Sequence, residues 1–147
     1  MSKILIIEDN VLMREAIRQA LKRDGHKILG ASDGPTGISL ARAEKPDLIL
    51  LDLMMPFMNG QEVARYLRYD EELADIPVVV ITAVNQVDTV LDMLSMKNVR
   101  DYFLKPIDIT ALRDRVRTVL ENPQPAPAAA RNGSAPEVPA DNGNKGG

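Results

Sequence analysis

The sequence has no cysteine and only one histidine, and both shortages restrict its chemistry. Without cysteine there can be no disulfide and no thiolate metal site, and nothing in the composition requires an oxidising compartment. This absence is typical of a cytosolic protein. The single histidine, His26, lies in a weakly apolar segment where we expect it to be exposed, so we assign it no chemistry.

Long runs of one kind of residue are also missing. The chain has 18 basic and 21 acidic residues and a net charge of −3, without a run of either sign that would predict a nucleic-acid or membrane surface. Near the start, the apolar run at residues 4–7 is far shorter than a signal-peptide core or a membrane span. We therefore expect a cytoplasmic protein that neither contacts nucleic acid directly nor inserts into a membrane.

The composition predicts one folded domain followed by a tail. A chain of 147 residues with 45% hydrophobic content can bury one core, but it is short for two. After Glu121 the composition changes, because residues 122–147 contain five Pro, four Gly and six Ala. Such a segment buries too little apolar surface to offset its ordering entropy. We expect a domain at residues 1–121 and a disordered tail at 122–147.

Short apolar runs alternate with segments of helical period along the domain. Continuous apolar runs are typical of strands that are buried on both faces. We predict such strands at residues 4–7, 48–51, 78–81 and 102–104, and a weaker edge strand at 27–31.

The helical segments have apolar stripes, and Asn59, Asn85 and Asp108 are their predicted N-caps. Five strands alternating with helices predict an α/β fold of the flavodoxin-like (βα)₅ kind, a doubly wound parallel sheet with strand order 2-1-3-4-5. The predicted stripes are Leu12, Ala16, Ile17, Ala20 and Leu21; Val87, Val90, Leu91 and Leu94; and Leu112, Val116, Val119 and Leu120.

This strand order brings distant polar residues to one crevice. The first strand ends in Glu8-Asp9 and the third in Asp52, and these strands are neighbours where the strand order reverses. Three close carboxylates hold a proton or recruit a cation, and an all-oxygen donor set favours Mg²⁺. Thr82 and Lys105 end the fourth and fifth strands and add a hydroxyl and a positive charge. The set describes a carboxylate that can become an acyl phosphate.

At these residues the sequence resembles the receiver domains of bacterial response regulators. The resemblance covers residues 3–121, and its motifs are specific in their order and spacing. They are ILIIEDN at 4–10, LLDLMMPFMNG at 50–60, ITA at 81–83 and DYFLKP at 101–106.

The resemblance implies that Asp52 is the phosphoacceptor and that a sensor histidine kinase or a phosphotransfer protein is the donor. It implies that Asp9 and Asp52 bind Mg²⁺ directly, that Glu8 acts mainly through water, and that Met54 contributes its backbone carbonyl. Such a protein is a signalling switch that catalyses its own phosphorylation, not a classical enzyme.

The resemblance also implies that Thr82 and Lys105 contact the phosphoryl oxygens. Tyr102 matches the aromatic switch residue, which swings inward as the threonine hydroxyl shifts. The bond before Pro106 is expected to be cis. A downstream protein would then dock on the face of the fourth helix, fifth strand and fifth helix.

Two departures from the family pattern carry expectations of their own. Asn98-Val99 replaces a common Gly-Ala pair, so the turn uses a left-handed Asn or is rearranged. Met54 and Val84 replace polar residues that help to position the hydrolytic water in some relatives. We expect slow autodephosphorylation.

Three other interpretations stay open. The chain can be a receiver-like interaction module that is not phosphorylated, or the receiver part of a longer regulator. A hydrolase or a flavin protein of similar topology is the third. An aspartate-nucleophile phosphatase would carry a D-x-D motif after the first strand, where this chain has Val11, and a flavin protein would carry a Ser/Thr/Gly-rich phosphate loop there.

Overall fold

Five strands alternate with five helices in a computed structural model that describes residues 2–123. The predicted tail lies outside the described residues from position 124 onward. No helix within residues 2–123 has the length and apolar content needed to cross a membrane. The elements are β1 Lys3–Ile7, α1 Val11–Arg23, β2 Lys27–Ala31, α2 Gly34–Glu44, β3 Leu48–Leu51, α3 Gly60–Tyr69, β4 Val78–Thr82, α4 Val87–Leu94, β5 Val99–Leu104 and α5 Ile109–Glu121.

The strands form a single parallel sheet in the order β2-β1-β3-β4-β5, which confirms the predicted topology. Strand β2 lies at an edge, as its weaker apolar pattern predicted. In the centre, Ile7 of β1 pairs with Leu51 of β3. The residues that follow these two strands therefore enter the same crevice.

The sheet separates two apolar layers, because successive side chains of a strand point to opposite faces. Leu5 and Ile7 of β1 pack with α2, α3 and α4, whereas Ile4 and Ile6 pack with α1 and α5. All four side chains are fully buried. Burial of each such aliphatic side chain stabilises the fold by roughly 1.5–3 kcal/mol.

The helix caps were predicted in part. Asn59 begins α3 with a capping box, in which its side chain accepts from the Glu62 amide and the Glu62 carboxylate accepts from the Asn59 amide. Asp108 caps α5 through its side chain. The prediction for Asn85 was wrong, since α4 is preceded by Gln86, which makes no side-chain capping bond.

The predicted apolar stripes of α1 and α4 include residues that are exposed, both in the first turn and beyond it. Leu12 is 82% exposed and Val87 66% exposed, and Ala16 and Leu91 are also exposed. Helices α1 and α4 begin at the carboxyl edge of the sheet, so their first turns have no strand to cover. The rest of the predicted α1 stripe, Ile17, Ala20 and Leu21, is buried as predicted.

The turn before β5 is rearranged and does not use a left-handed asparagine. Within residues 2–123, the non-glycine residues with positive φ are Lys45 and Phe57. Asn98 is buried, and its side-chain Nδ2 donates to the backbone carbonyl of Ala64 at 3.2 Å. The backbone carbonyl of Asn98 accepts from the Val78 amide at 2.7 Å. The asparagine side chain thus fastens the start of β5 to α3.

Two further differences concern polar residues that the patterns placed wrongly. Strand β5 begins at Val99, earlier than the predicted residue 102, because the buried Asp101 lies within it and pairs with Arg115 at 2.6 Å. His26 precedes β2 and is partly buried, not exposed, and its Nδ1 is buried without a hydrogen-bond partner in the described part of the chain.

Candidate functional site

Three carboxylates meet where β1 and β3 end. The Asp52 amide donates to the Ile7 carbonyl at 3.0 Å, so the two chain segments leave the sheet side by side. One carboxylate oxygen each from Glu8, Asp9 and Asp52 lies within 4.8 Å of the others. The structure therefore brings together the acidic residues that sequence analysis predicted for one crevice.

Asp52 is held at both carboxylate oxygens. Its side chain is buried, with only 3% of the residue exposed. The Met54 amide donates to Oδ1 and the Lys105 ammonium donates to Oδ2, each at 3.2 Å. The carboxylate is therefore fixed in position while its surroundings remain polar, and the Met54 backbone lies beside it.

Glu8 is fully buried, and Lys105 balances its charge. The Lys105 Nζ lies 2.8 Å from Glu8 Oε1, and the Asn10 amide donates to Oε2 at 3.1 Å. Burial raises the pKa of the Glu8 carboxyl, and these two contacts lower it only in part. Burial acts to lower the pKa of Lys105, but its bonds to both carboxylates outweigh that effect and the pKa is raised. Lys105 is thus charged at neutral pH.

The donor set fits a hard divalent cation. Three carboxylates and one ammonium leave two negative charges in excess in a site that contains oxygen ligands and neither thiol nor imidazole. Asp9 is exposed, whereas Glu8 and Asp52 are buried, so the cluster is open to water on one side. Mg²⁺ prefers this combination of carboxylates and retained water.

Thr82 and Lys105 are brought to the cluster by the pairing of β4 with β5. Thr82 pairs with Leu104, and the Lys105 amide donates to the Thr82 carbonyl at 2.9 Å. Thr82 is fully buried, and its Oγ1 accepts from the Val84 amide at 3.3 Å. The peptide bond between Lys105 and Pro106 is cis.

Tyr102 is oriented inward and binds the loop between β4 and α4. Its residue is 9% exposed, and its hydroxyl donates to the Val84 carbonyl at 2.6 Å. Burial, and to a lesser extent the charge of Asp52, raises the pKa of this phenol. Tyr102 and Thr82 therefore both contact the backbone of Val84.

Sequence analysis assigned no role to three residues that shape the site. Asn10 caps α1 through Oδ1 while its amide binds Glu8, and an Asn just before a helical period is the signal that could have shown this. Arg14 donates from Nη1 to the Glu8 carbonyl at 2.6 Å. A Cβ on Gly60 would lie 2.3 Å from the Asp52 carbonyl oxygen, so only glycine fits there.

A family profile, similar protein sequences and solved structures all indicate the same family. The profile described as "Response regulator receiver domain" matches residues 4–117. Protein PilH of Pseudomonas aeruginosa is 37% identical over 120 residues, which are 82% of this chain and 98% of PilH. Transcriptional regulatory protein AfsQ1 of Streptomyces coelicolor is 38% identical over 121 residues, again 82% of this chain but only 52% of that regulator.

Solved structures agree with these sequence matches. The receiver domain of the Francisella response regulator 1452 superposes with a TM-score of 0.75 at 25% identity, covering 82% of this chain and 98% of that domain. Chemotaxis response regulator CheY4 of Vibrio cholerae has a TM-score of 0.74 at 22% identity, over 81% and 98% of the two chains, and shows the shared fold. With its five-stranded sheet and acidic crevice, the chain belongs to the response regulator receiver domain family of two-component signalling.

Proposed function

We propose that the protein is a phosphoacceptor switch in which Asp52 takes a phosphoryl group from a phosphohistidine. The observation that carries this proposal is the position of Asp52, buried between Lys105 and two further carboxylates at the carboxyl edge of the sheet. A receiver-like module that signals by binding alone would not need this set. The donor is a sensor histidine kinase or a phosphotransfer protein.

In the proposed transfer, an Asp52 carboxylate oxygen attacks the phosphorus in line with the bond to the imidazole nitrogen. The new O–P bond forms as the P–N bond breaks, and the leaving imidazole takes a proton from solvent. Lys105, already 3.2 Å from Asp52 Oδ2, offers its charge to the transferring oxygens, and Thr82 offers a hydroxyl. The protein itself supplies this positioning, so small phosphodonors can replace the partner.

Mg²⁺ is the proposed cofactor, and it would neutralise charge on the phosphoryl group when bound. Asp9 and Asp52 would hold it through their carboxylates, Met54 through its backbone carbonyl, and Glu8 through water. The fit rests on the oxygen donors and the excess negative charge of the cluster. The bond from Lys105 to Glu8 keeps that buried carboxylate in place without the cation.

Phosphorylation would act on the loop between β4 and α4. A phosphoryl group on Asp52 would draw the Thr82 hydroxyl, which now accepts from the Val84 amide. The Tyr102 hydroxyl donates to the carbonyl of the same Val84 residue. A change in either contact would therefore affect the other through this loop. A ligand that binds one arrangement better shifts the population toward it. Tyr102 is the proposed switch aromatic.

The proposed output surface comprises α4, β5 and α5. Exposed apolar side chains lie on it at Val87, Leu91 and Leu104, where a protein partner would bury them. The related AfsQ1 is a transcriptional regulator about twice as long as the matched segment. Our proposal for this chain is protein–protein output in the cytoplasm, and its use as the receiver part of a longer regulator is the alternative.

The phosphorylated state should be long-lived. Met54 and Val84 follow Asp52 and Thr82 by two positions and present apolar side chains, with Met54 64% exposed at the mouth of the crevice. Neither side chain can accept a proton from an attacking water. Hydrolysis of the acyl phosphate in Mg²⁺ buffer within seconds would contradict this expectation.

The decisive experiment measures phosphorylation by acetyl phosphate or phosphoramidate with intact-mass spectrometry. Wild-type protein should gain one phosphoryl group in the presence of Mg²⁺ and none with EDTA, and Asp52→Asn should gain none. Asp114→Asn is the control, because Asp114 is an exposed carboxylate on α5 that forms an i,i+3 ion pair with Arg117. Absence of labelling in the wild type, or equal labelling of Asp52→Asn, would exclude the proposed acceptor.

A further inference from the structure

Arg14 reaches from α1 back to the start of the acidic loop. Its Nη1 donates a 2.6 Å hydrogen bond to the backbone carbonyl of Glu8. The guanidinium is a charged donor, and such bonds are about twice as strong as neutral ones. A partly buried arginine is therefore committed to one carbonyl beside the cluster.

This carbonyl belongs to the peptide unit that joins Glu8 to Asp9. A peptide unit is planar, so holding its oxygen also orients its amide and both adjoining Cα atoms. On the other side of Glu8, its amide donates to the Ala31 carbonyl of β2 at 3.0 Å. The Glu8 backbone is thus held at both ends by hydrogen bonds.

The Arg14 side chain packs against Gly30 of β2. A Cβ at this position would lie 3.2 Å from Arg14 Cδ and 3.4 Å from Arg14 Nε, closer than ordinary contacts. Glycine weakens the interior of a strand and often marks a close approach. The Arg14 side chain lies over this glycine of the edge strand β2.

We propose that Arg14 is a positioning residue for the cation site, holding the Glu8-Asp9 peptide so that both carboxylates face Mg²⁺. It contacts neither the cation nor the phosphoryl group. The inference rests on the proposed function, because it requires that the cluster binds Mg²⁺. Groups that orient metal ligands from outside typically contribute 10–100-fold to affinity, so removal of the Arg14 donors should weaken Mg²⁺ binding roughly tenfold.

The test is calorimetric titration of the full chain with MgCl₂ alone. Arg14→Met retains the aliphatic stem but loses the donors, and its Kd should rise about tenfold. Arg14→Lys retains a charged donor and should recover part of the affinity. Arg18→Met is the matched control on the same helix, since Arg18 forms an i,i+3 ion pair with the exposed Glu15, and its Kd should equal that of the wild type.

Gly30→Val provides an independent route to the same result. Its side chain would displace the arginine stem without altering Arg14 itself, so the Kd for Mg²⁺ should rise in this variant too. It also decides the matter if Arg14→Met does not fold. In labelling by acetyl phosphate, both variants should need more Mg²⁺ for half-maximal rate.

The outcomes separate this inference from the proposed function. Wild-type protein that binds no Mg²⁺ would overturn both. Wild-type binding together with an unchanged Kd in folded Arg14→Met and Gly30→Val would overturn the positioning role alone. A purely structural role would lower the thermal midpoint of Arg14→Met in EDTA while leaving the Kd of the folded protein unchanged, and that result also overturns it.

Discussion

Replacement of Lys105 by methionine tests the electrostatic balance of the acidic crevice most directly. The ammonium lies 2.8 Å from Glu8 Oε1 and 3.2 Å from Asp52 Oδ2, and these residues are 0% and 3% exposed. Removing one partner of a buried ion pair costs about 3–5 kcal/mol. Since the Lys105 side chain is 21% exposed, we expect the lower end of this range, about 3 kcal/mol at pH 7 without Mg²⁺.

The assay is urea unfolding followed by far-ultraviolet circular dichroism, supported by the thermal midpoint. For a domain of this size, roughly 3–4 °C of midpoint corresponds to each kcal/mol, so the variant should melt about 10 °C lower. The slope with urea should stay unchanged, because the surface exposed on unfolding is the same. Lys97→Met, at an exposed position, serves as the control.

The loss of stability should depend on pH with a defined sign. Glu8 has a raised pKa in the folded protein, so its contribution to stability is present below its ordinary pKa and is lost as pH rises through the folded value. Without Lys105, the pKa of Glu8 rises further. The difference in the free energy of unfolding between wild type and variant should therefore become smaller as pH falls from 7 towards 5. A Lys105→Met protein as stable as the wild type at pH 7, or a gap that widens on acidification, would refute this reasoning.

Three more predictions concern the fold. Gly60→Ala should lower the free energy of unfolding by about 1–3 kcal/mol, because its Cβ would lie 2.3 Å from the Asp52 carbonyl oxygen; an unchanged urea midpoint would contradict this packing. Tyr102→Phe should cost about 1 kcal/mol in the same assay, since a loop carbonyl loses its hydroxyl donor, and a gain in stability would count against it. The hydrogen bonds from Arg113 lower the pKa of Asp24, so Arg113→Met should slightly lower the free energy of unfolding above pH 5, and this loss should shrink as pH falls from 3.8 through the lowered pKa of the folded protein. A loss that does not shrink on acidification below pH 3.8 would exclude the pair as its cause.

Most of the fold followed from local patterns. Runs such as residues 48–51 are apolar throughout, and such runs are stable only when both faces of a strand are covered. The burial expected from residue type was wrong where the surroundings of a residue decide whether it is buried. Leu12 and Val87 are apolar but lie in first turns beyond the sheet. Asp101 is acidic but buried within β5, where it pairs with Arg115 of α5. Periodicity carries no information about such partners.

The candidate site was predicted from the residues at the strand ends. The structure adds the contacts with backbone carbonyls that shape this site. Glu8, Asp52 and Lys105 are strand-end residues, and parallel strands bring their carboxyl ends to one edge. The roles of Gly60 and Arg14 depend on approaches to backbone carbonyls, which leave no trace in residue spacing. Such contacts with backbone carbonyls can be identified only from the folded structure.

By itself, the sequence determined the alternation of strands and helices, the edge position of β2 and the set of acidic, hydroxyl and basic residues available for chemistry. Local propensity and apolar period suffice for these features because they act within a few residues. Only the tertiary structure decided that Lys105 spans Glu8 and Asp52, that Tyr102 lies inward on the Val84 carbonyl, and that Asn98 fastens β5 to α3. These contacts join residues far apart in the chain, and their geometry depends on the packing of the whole sheet.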